Sequence, residues 1–327
     1  MQTFRVLDLF SGMGGFSYGF SKNGFKTTGV DIKEEAEVSY KKLTKGDFIL
    51  SDLHSDLIDG RGYDVIIGGP PCRPWSSINI TKRGLEHPDY TLVSKFLSHI
   101  RFHKPKIFIM ENVPPLSKDS TLTELISSTK NEMSYSVAKV KVTYSNFGAS
   151  VKRTRLIIIG ILESEINSFQ WQMNSNTKAP GTVRDSISSL QGKGYGSISD
   201  HVWPNLKTIR KYEEYYKTGK YGWRILKWDE PSPSFGNVMK TYTLHPDSSF
   251  EYGEPRTISI AEASRIMGFP ASFSFPGNIP MGKRYQMIVD SVSPVFSDVL
   301  AKVSYNILTG DFNYGSIQKQ YIQPVFK

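Results

Sequence analysis

Cys72 is the only cysteine in the 327-residue chain, and the residues around it favour a chemical role. It lies in the segment GGPPCRPWS, where two prolines directly before the thiol stiffen the backbone. A thiol that only fills space in a core needs no such stiffening, whereas a nucleophile must be held in position. A lone cysteine forms neither an internal disulfide nor a thiolate zinc site, so no metal is expected. The segment therefore predicts a reactive thiolate, with an inert buried thiol as the alternative.

Charged side chains lie at the ends of other apolar runs, from which they can reach the surroundings of Cys72. Glu111 ends the run KIFIMENV, and the segment KRTR, which contains Arg153 and Arg155, precedes the run LIIIGIL. Residues two apart on a strand point to the same side, so both arginines are expected on one face. If the strands are neighbours, one cysteine, one glutamate and two arginines converge on a single pocket.

A glycine-rich turn follows the first apolar run, in the segment DLFSGMGGF. Its glycines, which let a backbone turn sharply and approach a ligand, are Gly12, Gly14 and Gly15. Asp31 lies about 20 residues further on, where a carboxylate can bind a ribose diol. Asp52 follows the third apolar run and is a candidate to bind an adenine amino group, with Asp47 as its rival. The turn indicates a nucleoside cofactor, which a nicotinamide oxidoreductase would also have; a purely structural turn is the alternative.

The elements that carry these residues alternate between two kinds. Seven apolar runs predict strands: FRVLDLF, TTGVDI, FILSDL, YDVIIGG, KIFIMENV, VAKVKVTY and RLIIIGIL. Segments between them, such as KEEAEVSYKKL and TLVSKFLSHIRFH, predict helices. The alternation predicts an α/β fold with a mostly parallel sheet and helices on both faces. Ligands of such sheets bind at the carboxyl ends of the strands, where these candidate residues are expected.

The composition changes at about Asn167, after which serine, glycine, proline, lysine and aromatic residues become frequent. Turn signals dominate there and helical periodicity is poor, which predicts a separate, loop-rich module. Regular structure returns with SIAEASRIMGF and with DSVSPVFSDVLAKVSYNIL, an amphipathic helix. We therefore expect one domain from residues 1–180 and 285–327 and a smaller one from residues 181–284.

Overall composition restricts the class of protein. Hydrophobic residues make up 39% of the chain, enough for a core, and no apolar run is long enough to span a bilayer. The first residues, MQTFRVLDLF, enter a strand without a secretion signal, so a cytoplasmic location is expected. A formal charge of +9 favours a polyanionic partner such as nucleic acid, although many soluble enzymes are basic.

The ordered set of motifs resembles the cytosine-5 DNA methyltransferase family of bacterial and phage restriction-modification systems. The matching segments are DLFSGMGGF, GVDI, PPC with the following WS, ENV, RTR, AEASRIMGFP and DSVSP, in the family's order along nearly the whole chain. The resemblance implies a Rossmann-like methyltransferase domain that uses S-adenosyl-L-methionine and methylates carbon 5 of cytosine in duplex DNA. It also implies that residues 181–284 form a target-recognition domain.

The resemblance assigns roles to the candidate residues. Cys72 would add to carbon 6 of a cytosine rotated out of the helix, which makes carbon 5 able to accept a methyl group. Glu111 would bind ring nitrogen 3 and the exocyclic amine, Arg155 would hold the exocyclic oxygen and orient Glu111, and Arg153 would support them. The residues implied to bind the cofactor are Phe10, Ser11, Gly12, Gly14, Gly15, Asp31, Ile32, Asp52, Leu53, Pro71, Leu92, Ser291 and Val292.

Three positions depart from the family's usual residues. Arg73 and Val151 each replace a glutamine, and Val289-Asp290 replaces Gly-Asn, which puts a carboxylate near the expected cofactor site. Candidate DNA contacts in the variable module are Tyr212, Tyr215, Tyr216, Tyr221, Trp223, Arg224, Lys240 and Tyr242. Among these we favour core positions for Trp223 and Tyr242 and a surface position for Lys240.

Two related functions remain open from the sequence: a tRNA cytosine-5 methyltransferase and a DNA-binding protein with an inactive site. The expected partner is duplex DNA, with a monomeric enzyme that a restriction endonuclease can accompany.

Overall fold

The computed structural model describes residues 3–60, 62–75, 86–162, 166–220 and 223–310. Contacts divide the chain into two compact units. The first contains Met1–Thr143, Thr154–Thr177 and Phe296–Lys327, and the second contains Tyr144–Arg153 and Lys178–Val295. The second unit thus contains the predicted module 181–284. It also contains Tyr144–Arg153, residues 178–180 and residues 285–295. The functions assigned to the two domains stay predictions.

The strands up to residue 162 account for all seven predicted apolar runs. In chain order they are β1 (Arg5–Leu9), β2 (Lys26–Asp31), β3 (Asp47–Leu50), β4 (Val65–Gly68), β5 (Ile107–Asn112), β6 (Tyr135–Thr143), β7 (Val151–Lys152) and β8 (Thr154–Leu162). All but β7 form one seven-stranded sheet in the order β3-β2-β1-β4-β5-β8-β6. The first five of these are parallel, and β8 runs antiparallel to both β5 and β6. The predicted α/β class with a mostly parallel sheet is confirmed.

The helices fill the connections between strands. They are α1 (Gly15–Lys22), α2 (Glu34–Thr44), α3 (Leu92–His103), α4 (Ser120–Met133), α5 (Ile166–Ser175), α6 (Val183–Ile187), α7 (Glu213–Thr218), α8 (Val238–Thr241), α9 (Ile260–Met267), α10 (Met281–Asp290) and α11 (Pro294–Thr309). Connections between parallel strands are right-handed. Helices α1 and α2 connect β1 to β2 and β2 to β3, on one side of β1, and therefore cover one face of the sheet. Helix α3 connects β4 to β5, on the other side of β1, and therefore covers the opposite face.

Helix α5 was not predicted, because the loop-rich composition was taken to begin at about Asn167. The structure places a helix there that buries Phe169 and Met173, four residues apart on one face. The segment INSFQWQMNS is short, and although Ile166, Phe169 and Met173 have helical spacing, Trp171 does not share it, so the periodic signal is too weak to predict a helix from sequence. Packing of Phe169 and Met173 against the first unit provides the missing stabilisation, as tertiary contacts commonly do for short helices.

The final helix, α11, contacts α1 within the first unit. Asn23, at the end of α1, donates its side-chain amide to Asp298 at 2.9 Å, and Lys22 forms an ion pair with the same carboxylate at 3.3 Å. The Ser297 hydroxyl donates to the backbone carbonyl of Phe16. A Cβ atom at Gly19 would collide with the backbone of Ser297, so the glycine allows the two helices to approach this closely.

The second unit is built from short elements. Its strands β9 (Arg224–Ile225), β10 (Ser232–Pro233) and β11 (Thr243–Leu244) form two small sheets, in which β10 pairs with β7 and β11 pairs with β9. Ile209, Tyr216 and Leu244 form a small buried cluster. Trp223 and Tyr242 pack against that cluster and Lys240 is exposed, as predicted, whereas Tyr221 lies outside the described residues.

A buried ionic cluster complements this small core. Glu262 is fully buried at the start of α9, where its carboxylate accepts two hydrogen bonds of 2.8 Å from Arg256 and one of 2.7 Å from the backbone of Ser259. These charge-assisted bonds compensate the carboxylate for the loss of water. His245 lies 3.5 Å from Glu262, and burial lowers the pKa of this histidine to about 4. The AEAS segment therefore stabilises the loops of the second unit.

No helix in the described ranges is long and apolar enough to cross a membrane.

A buried acid lies beneath the glycine-rich turn of the first unit. Asp8, on β1, is 1% exposed, and its carboxylate accepts a 2.6 Å hydrogen bond from the hydroxyl of Ser17. Tyr40 in turn donates to the Ser17 hydroxyl at 2.7 Å. Burial, assisted by the negative charge of Asp31, raises the pKa of Asp8 to about 7, although the Ser17 hydrogen bond opposes the shift.

We expect Asp8 to lower the free energy of unfolding as the pH rises from 6 to 8. The unfolded chain ionises Asp8 near pH 3.8 and the folded chain near pH 7, so between these values the unfolded state binds fewer protons. The free energy of unfolding should therefore fall by about 1 kcal/mol across this window because of this group. Asp8→Asn, which stays neutral and can still accept the Ser17 bond, should abolish that loss.

Urea unfolding at several pH values tests the effect, with Asp64→Asn as the control. Asp64 also lies in the first unit and accepts a backbone hydrogen bond from Arg5 at 2.9 Å. A difference between the wild type and Asp8→Asn that stays constant from pH 6 to 8 would contradict the assignment.

Candidate active site

The order of the strands reverses in the sheet between β1 and β4, although these two strands run parallel. From β1 the order continues through β2 and β3 on one side, and from β4 it continues to β5 on the other. Such a reversal leaves a crevice at the carboxyl ends of the two central strands, where ligands of open α/β sheets bind. The glycine-rich turn follows β1 and Cys72 follows β4, so the two sequence-predicted halves of the site border this crevice.

The glycine-rich turn adopts backbone conformations that side chains disfavour. Gly12 has a φ of 51° and Gly14, which caps the start of α1, has a φ of 90°. A Cβ atom at Gly14 would lie 2.8 Å from the ring of Tyr40. Phe10 also has a positive φ, of 61°. Glycine is therefore required at Gly14 both by conformation and by space.

Asp31 holds the turn in place from the end of β2. One of its carboxylate oxygens accepts from the backbone of Gly12 at 2.9 Å, and the other accepts from the backbone of Lys33 at 3.1 Å. The sequence predicted that Asp31 and the turn belong to one site, and the structure brings them into contact. The next residue, Ile32, is 59% exposed.

The end of β3 lies next to Asp31. The two strands pair in parallel with Asp31 opposite Leu50, and the backbone of Ser51 donates to the carbonyl of Asp31 at 3.1 Å. Asp52 therefore follows at the same edge of the sheet as Asp31, while Leu53 is buried in the core behind it. Its rival Asp47 lies opposite Thr28, at the start of β3 and away from this edge, so the structure favours Asp52.

Two interactions fix the segment that carries Cys72. The backbone of Trp75 donates to the carbonyl of Cys72 at 3.0 Å, which closes a turn over residues 72–75. The side-chain amide of Asn112, at the end of β5, donates to the carbonyl of Pro70 at 3.0 Å. The sulfur-bearing residue is partly buried. The proline-stiffened loop is therefore also tied to the neighbouring strand, and its thiol is held close to the sheet edge.

Glu111 lies directly beside this loop. A Cβ atom at Gly69 would be 3.6 Å from a carboxylate oxygen of Glu111, so the backbone before the thiol passes close to the acid. Glu111 is 8% exposed, and its other carboxylate oxygen lies 2.9 Å from Nε of Arg155. Arg155 also donates to the carbonyl of Thr154 at 2.8 Å. The arginine thus fixes the orientation of the buried carboxylate and compensates its charge.

The antiparallel strand β8 explains how the arginine reaches the glutamate. Glu111 pairs with Ile157 and Asn112 pairs with Leu156, so Arg155, the second residue of β8, lies just beyond the carboxyl end of β5. A parallel neighbour would have presented its own carboxyl end there, and its first residues would lie at the opposite edge. The ion pair therefore depends on the reversal of strand direction after β5.

Other predicted site residues belong to other segments. Arg153, Ser291 and Val292 are buried and belong to the second unit, so the predicted role of Arg153 beside Cys72 and those of Ser291 and Val292 in the cofactor pocket stay predictions. Arg153 lies at the break between β7 and β8, whereas Arg155 lies on β8. Pro71 is partly buried and Leu92, at the start of α3, is buried. Ser11 and Gly15 lie within the turn, while residues 76–85 of the predicted polar loop are outside the described residues.

The three departures from the family pattern have structural settings of their own. Arg73 is exposed directly after the thiol. Val151 is buried on β7, opposite Ser232 of β10, where an apolar side chain suits the small sheet. Asp290 accepts a hydrogen bond of 2.7 Å from the side-chain amide of Gln286, one turn earlier on α10.

Sequence reasoning missed Asn112 and the partners of Trp75. Asn112 is 1% exposed, and its side-chain oxygen accepts a hydrogen bond of 2.8 Å from the backbone N–H of Val113. An asparagine at the end of an apolar strand was a usable signal, because a buried amide needs hydrogen-bond partners. The indole of Trp75 donates to Asp119 at 2.8 Å, a contact between residues 44 apart in the chain that no local pattern indicates.

The sequence is similar to those of known methyltransferases. The sequence model of the family described as C-5 cytosine-specific DNA methylase matches residues 4–306. The Type II methyltransferase M.FnuDI of Fusobacterium nucleatum is 27% identical over 93% of this chain and 95% of its own length. M.HindV of Haemophilus influenzae, also a Type II methyltransferase, is 30% identical over 84% of this chain and 88% of its own length.

A solved structure agrees with the fold. A DNA modification methyltransferase encoded within a prophage of E. coli has a TM-score of 0.69, with 22% identity over 94% of this chain and 99% of its own. The chain therefore belongs to the C-5 cytosine-specific DNA methylase family and is a DNA (cytosine-5-)-methyltransferase. A nicotinamide oxidoreductase, which the glycine-rich turn alone left open, is excluded.

We expect Arg155→Lys to reduce the rate of DNA methylation by about 100-fold without unfolding the enzyme. The ammonium group keeps the positive charge, but it lacks the planar guanidinium that orients Glu111 through Nε while also donating to Thr154. The initial rate of 5-methylcytosine formation, quantified by mass spectrometry of digested DNA, measures the effect.

Arg101→Lys is the matched control. Arg101 also lies in the first unit, on α3, and forms an ion pair of 3.6 Å with Glu132 on the surface. Equal rates in the two lysine variants would show that the geometry of the Glu111 ion pair does not matter for the reaction.

Proposed function

We propose that this enzyme transfers a methyl group from S-adenosyl-L-methionine to carbon 5 of a flipped-out cytosine in a specific duplex sequence, through a covalent adduct with Cys72. The observation that carries the proposal is the ion pair between Glu111 and Arg155, buried beside the loop that bears the only thiol. A carboxylate, a guanidinium and a thiol held together by a rigid loop suit the attack on a pyrimidine ring.

The residues at the glycine-rich turn fit S-adenosyl-L-methionine. A Cβ atom at Gly12 would meet no atom within 4 Å, so there is open space against the turn. Asp31 presents carboxylate oxygens to accept ribose hydroxyls, and the exposed side chain of Ile32 offers an apolar surface to the adenine ring. Asp52 would accept a hydrogen bond from the adenine amino group. When bound, this cofactor supplies an electrophilic methyl group on a positively charged sulfur.

Phe10, Ser11, Pro71 and Leu92 would complete the cofactor pocket from the first unit. Ser291 and Val292, which belong to the second unit, are proposed to join them.

The chemistry requires activation of carbon 5, which is not nucleophilic in cytosine itself. The Cys72 thiolate adds to carbon 6, and the electron pair of the 5,6 double bond then makes carbon 5 enamine-like. Glu111 binds ring nitrogen 3 and the exocyclic amine and stabilises the proton gained at nitrogen 3. Arg155 holds the exocyclic oxygen at carbon 2. After carbon 5 is methylated, water removes its proton, the double bond re-forms and the thiolate leaves.

Access to carbon 6 requires the cytosine to leave the helix. Methyltransferases in general reach a base inside a duplex by rotating it out of the stack into their pocket. The second unit is proposed to hold the DNA and to read its sequence. It presents exposed Lys240 and partly buried aromatic residues such as Tyr212 and Tyr215, which can contact phosphates and base edges.

The partners follow from the same relatives. Their designation as Type II methyltransferases supports duplex DNA as the substrate and a role beside a restriction endonuclease of the same specificity. We propose that the enzyme acts as a monomer, since one chain carries the thiol, the acid and the arginine.

Covalent trapping tests the mechanism most directly. In the presence of S-adenosyl-L-methionine, duplex DNA with 5-fluorocytosine at the target should form a stable adduct with the wild type, because after methylation of carbon 5 the fluorine cannot leave as a proton does. Cys72→Ser should form no adduct and no 5-methylcytosine, while it still binds the DNA. Bisulfite sequencing of plasmid DNA from cells that express the wild type identifies the sequence in which cytosine is methylated. The duplex with 5-fluorocytosine is then made with this sequence.

Each alternative predicts a different result in these assays. Methylation of tRNA but not of duplex DNA would support the tRNA enzyme. Absence of both the adduct and 5-methylcytosine in the wild type, with DNA binding retained, would support an inactive DNA-binding protein.

We expect Ile32→Ser to weaken S-adenosyl-L-methionine binding by about tenfold without lowering stability, because the side chain is exposed in the free protein and would be covered by adenine. Isothermal titration calorimetry measures the affinity. Val38→Ser is the control, since Val38 is likewise 53% exposed but lies on α2. Equal affinities in both variants would place adenine elsewhere.

A further inference from the structure

Asp119 receives hydrogen bonds from two aromatic residues that belong to different segments. The indole N–H of Trp75 donates to its Oδ2 at 2.8 Å, and the phenol of Tyr90 donates to its two oxygens at 3.1 and 3.2 Å. The two rings also contact each other, with centroids 5.3 Å apart and planes inclined at 36°. We call these three residues the Trp75–Asp119–Tyr90 cluster.

The backbone around Asp119 is itself held firmly. Asp119 is the N-cap of α4, where Oδ1 accepts from the backbone of Leu122 at 3.2 Å. Its backbone N–H donates to the carbonyl of Leu116, a fully buried core residue, at 3.0 Å. The carboxylate therefore lies on a rigid support that follows β5, the strand that carries Glu111.

The cluster is connected directly to the nucleophile. Trp75 donates its backbone N–H to the carbonyl of Cys72, so the position of the indole determines the turn that contains the thiol. Trp75 also packs against the core of the first unit. Tyr90 lies two residues before the start of α3, so the same carboxylate connects the beginning of that helix to the turn.

We propose that Asp119 is a positioning residue that, through the indole of Trp75 and the phenol of Tyr90, holds the turn with Cys72 in the geometry required for attack on the cytosine ring. The proposal rests on the proposed function of Cys72. A carboxylate suits this task because it has enough lone pairs to accept from α4, Trp75 and Tyr90 at once. An asparagine has only one acceptor oxygen, so it keeps the helix cap but cannot hold both aromatic donors.

Two substitutions separate positioning from folding. Asp119→Asn retains a good N-cap for α4, and Trp75→Phe retains an aromatic ring but removes the indole donor. Both should leave the thermal unfolding temperature close to that of the wild type. Both should slow covalent trapping on 5-fluorocytosine DNA by about tenfold or more, since small displacements of a reacting group are costly. Affinities for the DNA and for S-adenosyl-L-methionine should be unchanged.

Alkylation of the thiol gives a readout that does not depend on catalysis. Cys72 is the only cysteine, so iodoacetamide incorporation followed by mass spectrometry reports on this residue alone. We expect the alkylation rate to rise by about threefold in both variants, because the turn opens more often when its anchor is weakened. The double variant should alkylate no faster than Asp119→Asn alone, since Trp75→Phe removes only one of the two aromatic donors that Asp119 holds.

Two controls match the chemistry of the variants. Trp228→Phe removes an equivalent indole–carboxylate bond, of 2.6 Å to Asp247, in the second unit. Asp64→Asn changes a carboxylate of the first unit that accepts a backbone hydrogen bond. Neither should change the alkylation rate of Cys72.

The outcomes distinguish this proposal from the proposed function. Wild-type rates of trapping and alkylation in Asp119→Asn and Trp75→Phe would overturn the role of Asp119. If the wild type itself formed no adduct and made no 5-methylcytosine, the proposed function would fail. The alkylation rates alone would then decide whether Asp119 holds the turn.

Discussion

The carboxyl ends of β1, β4 and β5 meet in register at one edge of the sheet, and the whole candidate site depends on that alignment. Leu9 of β1 pairs with Gly68 of β4, which pairs with Met110 of β5. Each strand continues into a different functional segment: the glycine-rich turn, the proline-stiffened loop and Glu111. Because the backbone hydrogen bonds of the sheet fix this register, three segments far apart in sequence are brought to one edge of the sheet.

Two buried acids of the sheet have different partners. Glu111 is buried, and a carboxylate in such a position costs free energy unless it is paired and hydrogen-bonded. Arg155 supplies this pairing from the one neighbouring strand that runs in the opposite direction. Asp8 is buried with a hydroxyl partner and no cation in its described hydrogen bonds, and burial raises its pKa to about 7.

Much of the fold could be predicted from sequence because its signals are local. Buried parallel strands appear as continuous apolar runs, and the glycine-rich turn and PPC segment directly follow two of them. The contact between Asp31 and the turn, and that between Glu111 and Arg155, were also anticipated. What could not be predicted depends on distant contacts: α5 is stabilised by packing, and Asp119 meets Trp75 and Tyr90 only after the sheet has formed. The residues of the second unit that read DNA stay predictions, because its aromatic residues serve packing and recognition alike.

The contact between α1 and α11 has a consequence for folding of the enzyme during its synthesis on the ribosome. Helix α1 lies near the beginning of the chain, but the helix that covers it follows about 275 residues later, as the bond between Asn23 and Asp298 shows. Until residues 294–309 have left the exit tunnel, the nascent chain exposes an apolar face next to the cofactor turn. Catalytic competence should therefore arise late in translation, which delays modification of DNA until synthesis of the methylase domain is nearly finished.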